Sequence, residues 1–192
     1  MSRGFTTHTG TAARLYGDNI DTDQIIPSRE MKTVSKTGLG AGLFAAQRYT
    51  GERVPNPDFI LNQPGYEDTT ILLAGSNFGC GSSREHAVWA LLDYGIRAVV
   101  AESFGEIFYN NCVRNGVLPV QLPREVIDGL GRTVSIDLPA QTVNGQPFDI
   151  AEGDKRMLVE GLDVVDLTLA HEDAIVAWEA RDRARRGWAY SE

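Results

Sequence analysis

Cysteine is scarce: the 192-residue chain carries two, Cys80 and Cys112. Two thiols exclude a disulfide framework. The three histidines, His8, His86 and His171, are scattered, and together with the thiols they match none of the usual zinc spacings. No metal or cofactor is therefore expected on this chain's own residues. Long apolar runs are missing too, and none approaches the roughly 20 residues that cross a bilayer. The opening MSRGFTTHTG has no apolar stretch of the kind a secretory signal needs. A cytoplasmic protein with no membrane attachment is the expectation. Positive charge is also in deficit, with 18 Lys and Arg against 26 Asp and Glu, a formal net charge of −8. Nucleic-acid binding, which needs a positive field, is excluded as a main activity. The basic cluster RDRARRGW is interrupted by Asp182 and sits near a helix end, where cations complement the dipole. At this length, 42% hydrophobic and 23% charged residues fit one domain with its own core.

The chain does hold a run of alternating strand and helix signals. TTILLAG reads as a buried strand, REHAVWALLDYG as an amphipathic helix stopped by Gly95, and IRAVVAES as a second strand. FGEIFYNNCVRNG then reads as a helix and VLPVQL as a third strand. This order predicts parallel pairing with right-handed crossovers. Further on come a short helix, REVIDGL, a hairpin turning at Asn144–Gly145, a final strand near DLTLA and a terminal helix, HEDAIVAWEARDRARR. Ahead of this core, ARLYG begins as a strand that turns at Gly17–Asp18–Asn19, and DTDQIIP reads as an extended piece closed by Pro27. Glycines at 38, 40 and 42 oppose both helix and strand. Residues 28–51 are therefore expected to form a mobile loop, with a short helix around Phe44 to Tyr49. The fold class is α/β, a parallel core sheet with an added antiparallel layer.

The densest chemistry lies in GSNFGCGSSREHA, residues 75–87. Ser82 and Glu85 form an S-x-x-E capping box, which predicts a helix starting at Ser83. Its first N–H groups would point back into the loop, where Gly79 and Gly81 permit close approach. Arg84, in the predicted first turn, adds a cation to the positive end of the helix dipole. That cost makes sense where an anion binds, because a guanidinium fork grips a carboxylate through two parallel hydrogen bonds. Two readings fit these residues: an anion site, or a purely structural cap after a glycine-rich turn. Sharper motifs do not fit. A P-loop would need a lysine, a dinucleotide fingerprint a glycine in place of Arg84, and a serine-hydrolase elbow a glycine two residues after the serine.

The stretch GSNFGCGSSREHAVWAL resembles the signature of the swivelling domain of the aconitase superfamily, and NIDTDQIIP resembles its second motif. With SKTGLGAGLF, NPDFILN, SFGEIFYNNCVRNGVLPV and LTLAHEDAIVAWE following in order, the chain is similar to the bacterial small subunits of 3-isopropylmalate dehydratase. The resemblance implies a three-layer β/β/α swivelling domain over residues 1–192, with a substrate-recognition loop at about 28–51. It implies a separate large subunit, in a heterodimer or heterotetramer, that carries a 4Fe-4S cluster on its own cysteines. Neither Cys80 nor Cys112 is then a cluster ligand, and Cys112 reads as a small buried hydrophobe. The implied reaction interconverts 2- and 3-isopropylmalate, small dicarboxylates, by dehydration and rehydration in leucine biosynthesis. By the same resemblance Ser82 is the base, acting as an alkoxide, and Ser83 and Arg84 hold a substrate carboxylate. Asp23 orders a basic side chain or a backbone turn at the site. Glu85 is assigned to the cap and His86 to packing; His8 and His171 receive no catalytic role.

The sequence departs from the family pattern after Pro27. An aromatic followed by leucine is usual there, and this chain has Glu30 and Met31. Arg29, Glu30, Met31 and Lys32 are therefore the candidates for substrate specificity. A carboxylate at 30 suits an isopropyl group only if it points away or pairs with Arg29 or Lys32. Two alternatives stay open. One is the small subunit of a related hydro-lyase, either another alkylmalate dehydratase or a homoaconitase. The other, from a different class, is a non-catalytic anion- or nucleotide-binding module.

Overall fold

The computed structural model describes residues 4–31 and 35–190. Strand β1 (Thr7–Arg14) leads to two single helical turns, α1 (Thr22–Ile25) and α2 (Ala45–Arg48), and to a small antiparallel ribbon of β2 (Tyr49–Thr50) and β3 (Val54–Pro55). The alternating core follows: β4 (Thr69–Ala74), α3 (Glu85–Tyr94), β5 (Ala98–Ala101), α4 (Glu106–Asn115) and β6 (Leu118–Gln121). After α5 (Arg124–Gly129) come β7 (Thr133–Asp137), β8 (Thr142–Val143) and β9 (Gln146–Pro147), and then α6 (Glu152–Glu160), α7 (Val164–Leu169) and α8 (Glu172–Arg185).

The described strands other than β2 and β3 form one sheet in the order β6-β5-β4-β1-β7-β8-β9. The β1–β4, β4–β5 and β5–β6 pairs are parallel, and the pairs beyond β1 are antiparallel. A parallel strand covered on both faces needs an unbroken apolar run. β5 is buried throughout, and β4 from Ile71 to Ala74. The pleat sorts these residues between two cores. Leu72, Ala74 and Val99 join α3 and Phe108 on one face, whereas Ile71, Leu73 and Val100 join Ile127, Leu158, Val134 and Val143 on the other. Val143 of β8 shares that second core with Val120 of β6, so the sheet curls until its two ends face a common interior. Pro119 lacks a ladder donor and is tolerated because β6 is an edge strand. The hairpin turns at Asn144 (φ 48°) and Gly145 (φ 80°), as expected.

Two short segments differ from expectation. DTDQIIP is not extended throughout: the Asp21 side chain accepts the N–H of Gln24 at 2.8 Å, starting the turn α1 before Ile26 and Pro27 straighten the chain. DLTLA is helical, because Asp163 and Asp166 make a reciprocal capping box at the start of α7. Periodicity over five residues could not separate strand from helix there, whereas the capping pair does.

Because β5, β4 and β1 are parallel neighbours, the loops that follow them leave the sheet at the same end. That end carries the site. In α8, every residue from Glu172 to Arg185 is exposed except the half-buried Asp182, and Ile175, Val176 and Trp178 stand in solvent. Removing residues 171–190 should therefore shift the thermal midpoint of the remaining body by less than about 2 °C, the scale of a surface change. A scanning calorimetry comparison showing a drop beyond about 5 °C would mean that α8 packs on the body.

Candidate functional site

Segments 18–22 and 76–82, which follow β1 and β4, are laced together beyond the sheet. Asn19 N–H donates to the Ser76 carbonyl (2.8 Å), Gly79 N–H to the Ile20 carbonyl (2.7 Å) and Thr22 N–H to the Cys80 carbonyl (2.9 Å). Side chains add to this. Asn77 Nδ2 donates to Asn19 Oδ1 at 2.8 Å, and the Asp18 carboxylate accepts the Ser76 N–H at 2.9 Å. That backbone bond, with the Arg124 guanidinium beside it, holds the Asp18 carboxyl below its ordinary range. From the other flank, Phe78 N–H donates to the Ser103 carbonyl (3.0 Å) and Gly105 N–H to the Phe78 carbonyl (2.9 Å). Gly79, at φ 74°, lies where a Cβ would run into the Phe108 ring.

The turn beyond Gly81 is built differently from the expected capping box. Helix α3 starts at Glu85, with Arg84 as its N-cap and no side-chain cap hydrogen bond. The Ser82 carbonyl is engaged in the turn before it, accepting from Arg84 N–H (2.7 Å) and from Thr22 Oγ1 (3.2 Å). Glu85 is drawn elsewhere, its Oε1 accepting from Asn115 Nδ2 at 2.7 Å. The same Asn115 accepts from Trp89 Nε1 at 3.0 Å, so one amide on α4 ties down α3. Sequence reasoning missed Asn115; the only available signal was its place beside the Gly116 stop of α4. His86 packs on Trp89, with ring centroids 4.7 Å apart, as expected.

The result is a helix N-terminus left open. Among the described residues, the N–H groups of Ser82, Ser83 and Glu85 have no protein acceptor. Ser82 and Ser83 are exposed. The Ser82 backbone is pinned by its carbonyl while its hydroxyl stays free.

Asp23 and Arg84 meet across the two segments as an ion pair through Arg84 Nη1. That hydrogen bond holds the Asp23 carboxyl below the usual carboxylate range, and Ser28 Oγ donates to the same oxygen at 3.3 Å. Nη1 is the guanidinium nitrogen occupied by Asp23, so the Nε and Nη2 edge remains for a second partner. Of the specificity candidates, Glu30 pairs with Arg53 and lies 3.6 Å from Arg29 Nε. Arg29 is exposed, Met31 is half-buried against the core, and Lys32 lies outside the described residues. Cys80 is half-buried beside the loop. Cys112 is fully buried, and burial pushes its thiol well up. Among the described residues, no three His, Cys, Asp or Glu side chains cluster as metal ligands would. With two cysteines in the whole chain, the donor set does not fit a four-iron cluster. His8 stands on β1, its Nε2 at 2.7 Å from Thr70 Oγ1, away from the loop.

A glycine-serine loop at the carboxyl end of parallel strands, closed by an arginine and opening into a helix, defines the aconitase-type swivelling domain. The family model described as the aconitase C-terminal domain matches residues 2–125. The chain belongs, more narrowly, to the small-subunit family of 3-isopropylmalate dehydratase, a hydro-lyase of leucine biosynthesis. The model for that subunit's own C-terminal domain matches residues 165–190. The chain is 50% identical to the 3-isopropylmalate dehydratase small subunit of Rhodopseudomonas palustris (strain HaA2), covering 96% of this chain and 98% of that protein. It is 52% identical to the subunit of the same name from Cupriavidus necator, covering 97% of each. Among solved structures, a 3-isopropylmalate dehydratase from Methanocaldococcus jannaschii superposes with a TM-score of 0.66 at 28% identity, over 90% of this chain and 99% of that one.

The packing of Gly79 yields a direct check. Gly79→Ala must both hold a left-handed backbone and displace Phe108, so a loss of about 2–4 kcal/mol in urea unfolding is expected. A loss below about 1 kcal/mol would show that the loop has room to spare.

Proposed function

We propose that this chain supplies the base and a carboxylate clamp to a two-chain hydro-lyase interconverting 2- and 3-isopropylmalate. Ser82 takes the proton from the carbon next to the one that loses hydroxide, and rehydration returns proton and hydroxide with their positions exchanged. Arg84, through its Nε and Nη2 edge, and Ser83 hold one substrate carboxylate, with Asp23 fixing the guanidinium from behind. The observation that carries this reading is the exposed pair Ser82 and Ser83, with the N–H groups of Ser82, Ser83 and Glu85 free of protein acceptors among the described residues, set against the Asp23–Arg84 pair. Free amides, the helix dipole and a cation all favour an ionised group beside Ser82. The same charges make the serine hydroxyl easier to ionise.

The departing hydroxide needs a Lewis acid, and a 4Fe-4S cluster on a separate large subunit would supply it; this chain's two cysteines do not. The partner reading is supported by the openness of the Ser82 face, which no other described part of this chain covers. On this reading residues 1–192 act as one swivelling domain in the cytoplasm, with residues 28–51 facing the substrate's alkyl group. Among the described residues, no helix is long and apolar enough to cross a membrane.

Ser82→Ala should associate normally with a large subunit and lose on the order of 100- to 10,000-fold in kcat. Retention of half the turnover contradicts the role of base. Arg84→Lys should raise KM and also slow turnover, because an ammonium cannot reproduce the fork. Unchanged kinetics would remove Arg84 from the site. Tight nucleotide binding by the isolated chain, with no activity in any reconstitution, would instead favour a non-catalytic binding module.

A further inference from the structure

Arg53 sits in the turn between β2 and β3 with φ 61°. Left-handed backbone favours glycine or asparagine and is costly for a long side chain, a cost that the contacts of the Arg53 guanidinium offset. That group reaches the specificity segment from outside. One nitrogen, Nη1, donates to the Ala41 carbonyl at 3.2 Å, and Nη2 pairs with Glu30 Oε2. Glu30 is clamped on two more sides. Its backbone N–H donates to the Pro27 carbonyl at 2.8 Å, and its stem rests against Gly42, where a Cβ would come within 2.7 Å of the Glu30 Cβ. Its side chain is only 14% exposed. The turn that Glu30 closes, Ser28–Glu30, is the one that presents Ser28 Oγ to Asp23, and Asp23 in turn holds Arg84.

Resting on the reading of Arg84 as the carboxylate clamp, we propose that Arg53 is a positioning residue for the site. It acts through Glu30 and the Ser28–Asp23 contact to set the aim of the Arg84 guanidinium. Glu30, at the position where the chain departs from its family's pattern, is then a strut and not a substrate contact. Its charge is neutralised by Arg53, so the segment presents no free carboxylate to an alkyl side group.

The test is steady-state kinetics of the enzyme reconstituted with excess large subunit, using 3-isopropylmalate. Arg53→Ala and Glu30→Gln should each raise KM about threefold to fivefold, the scale of a partly exposed ion pair, with kcat within about twofold because Ser82 is untouched. The double variant should be no worse than either single one, as expected for two members of one contact. Arg53→Lys should restore KM to within about twofold, a rescue that a merely structural turn residue would not require. Unchanged KM in Arg53→Ala, or additive effects in the double variant, overturns the proposal. Ser82→Ala, run in parallel, separates the two levels. If it stays active the site reading fails; if it is dead while Arg53→Ala is normal, only the positioning role fails.

Discussion

The site depends on one constraint: segments 18–22 and 76–82, about sixty residues apart in sequence, run side by side and share their backbone hydrogen bonds. Neither is a strand of the sheet. Each continues past the end of a parallel strand, β1 or β4, and each satisfies the polar groups that the other would leave bare in a partly buried place. Cys80 and Ile20 give up their carbonyls to this lacing, and Ser82 gives up its own to Thr22 and Arg84. Beside them, among the described residues, the N–H groups of Ser82, Ser83 and Glu85 are left without a protein acceptor. N–H groups at a helix start favour an anion without needing any excess of basic residues, which is how, on the proposed reading, a chain of net charge −8 would hold a carboxylate.

The electrostatics follow from where Arg84 falls. A cation at an N-cap opposes the dipole, typically by some tenths of a kcal/mol to about 1 kcal/mol. Asp23 offsets that penalty by standing near the same helix end and pairing with the guanidinium. Were the pair to use both forks, Arg84 would be spent as a structural tie. Engaging one nitrogen, it stays oriented and still has an edge to offer. This arrangement differs from a surface salt bridge in consequence more than in strength: its worth lies in direction, since an exposed ion pair contributes little to stability.

Much of this was legible in the residues. The parallel core could be read because β4 and β5 carry unbroken apolar runs bracketed by helices that end in Gly95 and Gly116, both at positive φ. The loop itself was conspicuous from its glycines and serines. What escaped was set by contacts between distant segments. The capping box spelled by Ser82 and Glu85 does not form: Asn115 engages the Glu85 carboxylate and Thr22 binds the Ser82 carbonyl within the turn, and neither partner is near them in sequence. DLTLA looked like a strand because five residues hold too little periodicity to separate the alternatives. For Glu30 the residues offered pairing with Arg29 or Lys32, or pointing away, only as conditions, whereas its principal partner, Arg53, comes from a turn whose position only the folded chain reveals.

A serine alkoxide open to water would be protonated at once, since its intrinsic acidity is far too weak. On the proposed reading the exposed Ser82 of the isolated chain is therefore neutral, with free amides and Arg84 placed to favour its ionised form. Covering the loop with a second surface would change that balance. Expelling water lowers the local dielectric, and the same amides and the same Arg84 then act on Ser82 with several times the force. Basicity on the proposed reading is thus a property of the assembled pair, and the open helix start of this chain is the half of it that the sequence encodes. A swivelling domain that carried a permanently basic serine would need to bury it, and burial would close the path by which a dicarboxylate reaches Arg84.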